Sequence, residues 1–234
     1  METTIKLTSG TNLVEVVIEE NDGSRVEKKI TVDSLKNVFK TTVPKRYFCM
    51  NPMFENYEKA GVIKGLICGV QNEELVNGLY FVPADRRYMD VAGEKCVMPY
   101  PSVIFCLYAR NGRIVHSRCY ALHEKSMNML TLDSKLYAFP FGNVNPSTAS
   151  ICWGNNVLGG IQDLESMRSA VTTFFSSESN MDYVAHGKSF AKRYGDYQKF
   201  LRMLKEKETF PVKALMPSSS ASTLKELIDA MNAE

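Results

Sequence analysis

Cys152 stands between Ile151 and Trp153 near the end of the segment Phe139–Asn156, FPFGNVNPSTASICWGNN, with Asn143 and Asn145 a few residues upstream. A thiol can carry an acyl group as a thioester, and an asparagine amide can donate a hydrogen bond to the oxyanion that forms during transfer. Those residue types in one short loop therefore point to acyl transfer. The same residues have a plainer reading. Cysteine is often a small buried hydrophobe, here beside a tryptophan, and both asparagines could simply close Asx-turns. No residue from Leu136 to Gln162 is charged, in a chain whose residues are 23% charged. A free thiol titrates near pH ~8.5 unless a cation, a helix N-terminus or a base lowers it, and the loop itself supplies none. Exchange between thiols, which is nearly balanced in energy, suits such a thiol better than amide hydrolysis, which needs a paired base.

Composition narrows what can surround this loop. With 234 residues, 44% of them apolar, the chain can bury a sizeable core. Its 28 basic and 26 acidic residues nearly balance, which gives no global field for nucleic acid or an anionic membrane. The start, METTIKLTSG, lacks the apolar stretch of a secretory signal, and the longest apolar runs, Val62–Val70 and Val103–Ala109, are far short of a membrane span. The cysteines, at positions 49, 68, 96, 106, 119 and 152, form no CxxC pair and no zinc spacing with histidine. The expectation is a cytoplasmic, metal-free globular protein that binds no cofactor.

The elements that must hold the loop can be read on either side of it. Leu13–Glu19 and Arg25–Val32 flank Asn21-Asp22-Gly23-Ser24, a hairpin signal, with Val26, Ile30 and Val32 expected on a buried face. Asp33-Ser34 offers an N-cap for a short helix through Phe39. Gly78–Val82 and Arg87–Val91 suggest a second hairpin around Pro83–Arg86. Val103–Arg110 and Arg113–Leu122 joined by Asn111-Gly112 carry the strongest hairpin signal, because both turn positions need positive φ. A strand around Met129–Leu132 would extend this to a meander. Beyond the loop the apolar period becomes helical. Asp163 caps a helix whose inner side is Leu164, Met167, Val171, Phe174 and Phe175, and a second helix spans Gly195–Lys205. Pro217–Ser222 reads as a flexible linker, and Thr223 with Glu226 opens a last amphipathic helix through Asn232. Antiparallel strands, a cysteine loop and then helices make an α+β plan.

That order, with an asparagine-bearing loop ending in Ile151-Cys152, resembles ubiquitin-conjugating enzymes. The loop Gly142–Cys152 looks like theirs with one extra residue and without the histidine of their His-Pro-Asn triplet. The chain resembles more closely the prokaryotic ubiquitin-conjugating family D, also called PRTRC system protein B. The matching pieces are Tyr80–Arg87 (YFVPADRR), Met98–Phe105 (MPYPSVIF), and Asn143-Val144 followed by Cys152-Trp153-Gly154. The resemblance implies a ubiquitin-conjugating-enzyme-like core at 78–207, preceded by a β-rich segment, 1–77, and followed by a linker and amphipathic helix, 208–234. It implies a bacterial protein of plasmids or other mobile elements. Its partners would be a ubiquitin-like protein, a ThiF-type adenylating enzyme that itself uses the ATP, and a JAB-type peptidase. It also implies a histidine after the cysteine, for which His186 is the candidate on that side.

Three functions follow for testing. The first is a conjugating transferase in which Cys152 carries the thioester, Asn143 (preferred) or Asn145 stabilises the oxyanion, and His186 assists. The second is an inactive relative that scaffolds a complex on a mobile element. The third is a Cys–His hydrolase using Cys152 and His186. Against the hydrolase, the helix after Cys152 starts only at Asp163, whereas papain-like nucleophiles sit at a helix N-terminus.

Overall fold

The computed structural model describes residues 2–7, 10–35, 44–48, 58–59, 63–91, 94–179 and 195–233. Two compact units result, Met1–Pro44 and Lys45–Glu234. The boundary expected between 77 and 78 lies inside a strand of the second unit, Leu75–Val82.

The first unit is an antiparallel sheet of β1 (Glu2–Leu7), β2 (Leu13–Glu19) and β3 (Arg25–Thr31), in that order. The β2–β3 hairpin turns where Asp22-Gly23 placed it. Gly23 has φ +83°, and the Asp22 carboxylate accepts the Ser24 N–H at 2.9 Å. β1 was not anticipated. The expected burial of β3 is not met: Val26 is exposed and Ile30 half-buried, because β3 is an edge strand, and it is Val14 and Val17 of the central β2 that are buried. Residues 32–35 are helical, and Thr31 rather than Asp33 accepts the capping N–H, from Ser34 at 3.0 Å. The rest of that expected helix, from residue 36 on, lies outside the described residues.

The second unit is α+β. Its main sheet has the order β12-β11-β10-β7-β6-β4-β5. The strands are β4 (Lys45–Phe48), β5 (Glu58–Lys59), β6 (Leu66–Gln71), β7 (Leu75–Val82), β10 (Ser102–Arg110), β11 (Arg113–Leu122) and β12 (Tyr137–Ala138). All neighbours pair antiparallel except β4 with β5. Asn111 and Gly112 both take positive φ, +47° and +76°, and close the β10–β11 hairpin as a primed turn requires. Two strand expectations need correction. β8 (Asp85–Val91) pairs with β9 (Glu94–Tyr100) in a separate two-stranded sheet, not with β7, which is taken up on both sides by β6 and β10. The meander's outer strand is Tyr137–Ala138, whereas Met127–Met129 forms a 3₁₀ turn.

Three longer helices complete the described unit: α1 (Leu164–Ser176), α2 (Tyr197–Lys205) and α3 (Leu224–Ala233). Asp163 caps α1 in a reciprocal box with Ser166, and Asp196 caps α2. Alternation along β10 explains its unbroken apolar run. Val103, Phe105, Leu107 and Ala109 enter the core shared with α1 and α2, while Ile104, Cys106 and Tyr108 enter the one shared with α3. The segment read as a flexible linker is pinned instead. Pro217 bridges Tyr137, Thr223 bridges Lys135, and Leu136 donates to the Ser222 carbonyl at 3.0 Å. Serine composition suggested flexibility, but here the hydroxyls find partners, Ser220 with Tyr120 at 3.1 Å and Ser219 with the Ser147 carbonyl at 3.0 Å.

One polar residue works against this core. Asn77 on β7 is fully buried, and neither its Oδ1 nor its Nδ2 has a hydrogen-bond partner. Each such group costs about 1–3 kcal/mol. Asn77→Leu is therefore expected to raise the urea midpoint at unchanged slope; a lowered midpoint would show that the amide is satisfied.

Candidate functional site

The uncharged loop is a small hairpin laid on the open edge of β11. Val144 bridges Ile151, flanked by Asn145 N–H to Ser150 O at 2.9 Å and Cys152 N–H to Asn143 O at 2.7 Å. The hairpin continues the sheet: Ile151 N–H donates to Ser117 O at 3.1 Å, and Cys119 N–H donates to Ala149 O at 2.9 Å. Further along, Gly159 bridges Arg113, so β12, the loop and Gly159 cover the β11 edge in turn. An edge otherwise open to solvent is thereby satisfied by a segment with no charge to solvate. Val144 and Ile151 are buried and anchor the hairpin; Cys152 next to them is half-buried with a free thiol.

The structure brings Asn143 and Cys152 together through backbone, and gives the two asparagines different work. Asn143 is 6% exposed, sits at φ +67°, and donates from Nδ2 to the Glu178 carbonyl at 2.7 Å. Its amide is committed to tying the loop to the segment after α1. Asn145 forms an Asx-turn, its Oδ1 accepting Ser147 N–H at 2.9 Å and Thr148 N–H at 3.2 Å. Trp153 is half-buried rather than core; its Nε1–H donates to Ser117 Oγ at 2.9 Å and its ring meets Phe174 edge-on at 6.1 Å. His186 lies outside the described residues. His123, just past the end of β11, stacks on Tyr137 at 4.2 Å, and His116 on β11 faces Tyr108.

Residues that sequence reasoning passed over hold the far side of the thiol. Asn156 donates from Nδ2 to Trp153 O at 2.8 Å and to Ser177 Oγ at 3.0 Å, joining the turn after Cys152 to the end of α1. The start of α1 is fixed in turn by Tyr80, whose hydroxyl donates to Leu164 O at 2.5 Å, and by Gln71 Oε1, which accepts Leu164 N–H at 3.2 Å. Gly69 permits that approach, since a Cβ there would lie 2.4 Å from Leu164 Cδ2. The Trp-Gly-Asn-Asn run was a legible turn signal for Asn156; nothing local marked Ser117, Tyr80 or Gln71. Two basic residues of β11 pair through backbone with the uncharged segment, Arg118 with Ser150 and Arg113 with Gly159.

The left-handed backbone at Asn143 yields a graded test. Asn143→Gly keeps the conformation but leaves the Glu178 carbonyl without its donor, which costs about 1–3 kcal/mol. Asn143→Ala loses the same bond and adds about 1–2 kcal/mol for a Cβ in the left-handed region. Denaturant midpoints are expected in the order wild type, glycine variant, alanine variant. That reverses the usual advantage of alanine over glycine, and equal midpoints would refute the strained-turn account.

The buried thiols contrast with Cys152. Burial pushes the Cys68 thiol up, with the neighbouring Cys106 adding to it, and burial does the same to Cys119. Both stay protonated in the fold, whereas in the unfolded chain they ionise near pH ~8.5. The stability they contribute is intact below that pH and erodes above it, by about 1.4 kcal/mol per pH unit for each thiol. The urea midpoint should fall between pH ~8.5 and ~9.5, and Cys119→Ala should flatten the fall; a flat wild-type profile would refute this. Among the described residues no three His, Cys, Asp or Glu side chains are grouped to hold a metal ion, and no helix is long and apolar enough to cross a membrane.

The model of prokaryotic E2 family D matches residues 54–218, most of the chain and all of the loop. No curated protein and no solved structure matches the chain.

Proposed function

The chain belongs to prokaryotic E2 family D, a membership that ties it to ubiquitin-like conjugation, and on that footing we propose that Cys152 is the thioester carrier. The observation that carries this reading is the placement of Cys152: a half-buried free thiol on a hairpin fixed to the β11 edge, its N–H held by Asn143 O at 2.7 Å. The Cys152 thiolate attacks the acyl carbon of a ubiquitin-like C-terminal glycine held as a thioester on the activating enzyme. A new S–C bond forms, the old one breaks, and the departing thiolate takes up the proton that Cys152 lost on ionising. An acceptor amine then attacks the same carbon, the N–C bond forms, and its proton passes to the sulfur that leaves. No oxidation and no cofactor on this chain is needed; ATP is consumed by the adenylating partner.

The preference between the asparagines reverses on this reading. Asn143 is a positioning residue, because its amide is spent on Glu178. Asn145, whose turn uses only Oδ1, is the donor for the oxyanion through Nδ2, a kind of contact worth about 3–4 kcal/mol in other enzymes. Weighing against the hydrolase reading, the helix that follows Cys152 begins only at Leu164, twelve residues on, so its N-terminus does not start at the thiol.

The test is a charging assay. The protein is mixed with a ubiquitin-like protein, a ThiF-type adenylating enzyme and ATP, then run on a non-reducing gel. A band that disappears with reductant supports the carrier. No adduct under any condition sinks it in favour of a scaffold, and release of a free peptide by this chain alone favours the hydrolase.

A further inference from the structure

Away from the cysteine loop, a cavity of about 570 Å³ opens between β7, the start of β8 and α1. That volume is within the range of small-molecule sites. Its wall includes Phe81, Val82, Val171 and Phe175, which give one part of the interior an apolar surface. Three cationic residues line it, Lys64, Arg87 and Arg168, against one carboxylate, Asp85. Of the ion pairs among the described residues, none involves these three cations. Asp85 itself accepts the N–H of Arg86.

Two of the cations are held in place by something other than an acid. The Arg87 guanidinium lies 4.4 Å from the centroid of the Phe175 ring, a stacking that leaves its edge N–H groups for another partner. Arg168 uses Nε to donate to the Lys64 carbonyl at 3.0 Å, which fixes its plane and leaves both Nη groups unused by that bond. Cations gathered on an apolar wall with too few acids repel one another, and an anion relieves this while planar guanidinium groups bind it through paired N–H bonds. We propose that this cavity binds a small molecule with an aromatic or apolar body and one anionic head, a carboxylate or a phosphate. The site is independent of the thioester reading, and its test needs no conjugation partner.

The probes share one ring system and differ in the head group: 1-naphthyl phosphate, 1-naphthoate and the uncharged 1-naphthol. Each is titrated into the full chain by calorimetry near neutral pH. At least one anion is expected to bind saturably at one site and at least about tenfold more tightly than naphthol. A preference between the two anions identifies the head group. Arg168→Gln and the exposed Lys64→Gln should each weaken the anion about tenfold while changing naphthol less than about twofold. Arg87→Gln should act likewise, but its loss also uncovers Phe175, so the other two variants decide. Naphthol binding as tightly as the anions would overturn the proposal, as would no binding at millimolar concentration, or affinities untouched by both deciding variants.

Discussion

Cys152→Ala forms no reductant-sensitive adduct in the charging assay, and Cys152→Ser accumulates one that survives reductant. These are the expected results, and the loss in alanine is complete because no other atom at the position can make the S–C bond. Serine differs in its leaving group. An oxyester gives up its acyl group to an amine far more slowly than a thioester, so the intermediate is trapped. Neither change should disturb the fold. Cys152 is half-buried, its N–H bond to Asn143 O uses backbone alone, and the anchors beside it are Ile151 and Trp153. Substitution at such a position costs about 1 kcal/mol or less, so both variants should stay folded with denaturant midpoints near wild type. An adduct that persists in Cys152→Ala would move the carrier elsewhere; Cys96, the other half-buried thiol among the described cysteines, would be examined first.

The largest loss of stability is expected from Phe174→Ala. The Phe174 ring is 6% exposed and meets four other rings edge-on: Phe105 at 5.1 Å, Phe175 at 5.4 Å, Phe139 at 5.5 Å and Trp153 at 6.1 Å. Removing a buried phenyl costs about 3–5 kcal/mol, made up of lost transfer energy and the cavity left behind. Because the cluster reaches Trp153, the damage should extend to the cysteine loop. The chain has a single tryptophan, so its fluorescence reports that loop directly. Phe174→Ala should lower the unfolding free energy by an amount in that range, read from the denaturant midpoint at unchanged slope, and shift Trp153 emission to the red as water enters. Phe174→Leu should retain most of both properties. A loss under about 1 kcal/mol with unchanged emission would show that α1 does not support the loop through this ring.

What could be read from residues alone had its cause within a few positions. Asn111-Gly112 specified a hairpin because both must take positive φ, and Asp163 specified a helix start because its carboxylate reaches the Ser166 N–H. The uncharged stretch marked its segment, and the pieces Tyr80–Arg87, Met98–Phe105 and Asn143-Val144 with Cys152-Trp153-Gly154 resembled the family that the chain belongs to. The misplaced elements were those whose partners are remote. β8 could not be assigned to β9 rather than β7 without knowing that β6 and β10 occupy both edges of β7. Pro217–Ser222 looked flexible until Tyr137, Lys135 and Tyr120 supplied its bonds.

The candidate site divides along the same line. By itself the sequence determined that one thiol and two asparagines share an uncharged loop, since residue types and spacing are its direct content. Only the structure showed what the asparagine side chains bond to, and for Asn143 the partner is tertiary. Asn143 is committed by Glu178, thirty-five positions away, and Asn145 by its own turn; Trp153 is oriented by Ser117, thirty-six positions back. Hydrogen bonds and edge pairing depend on which groups meet in space, and here that was set by the open edge of β11. The uncharged loop completes the sheet along that edge.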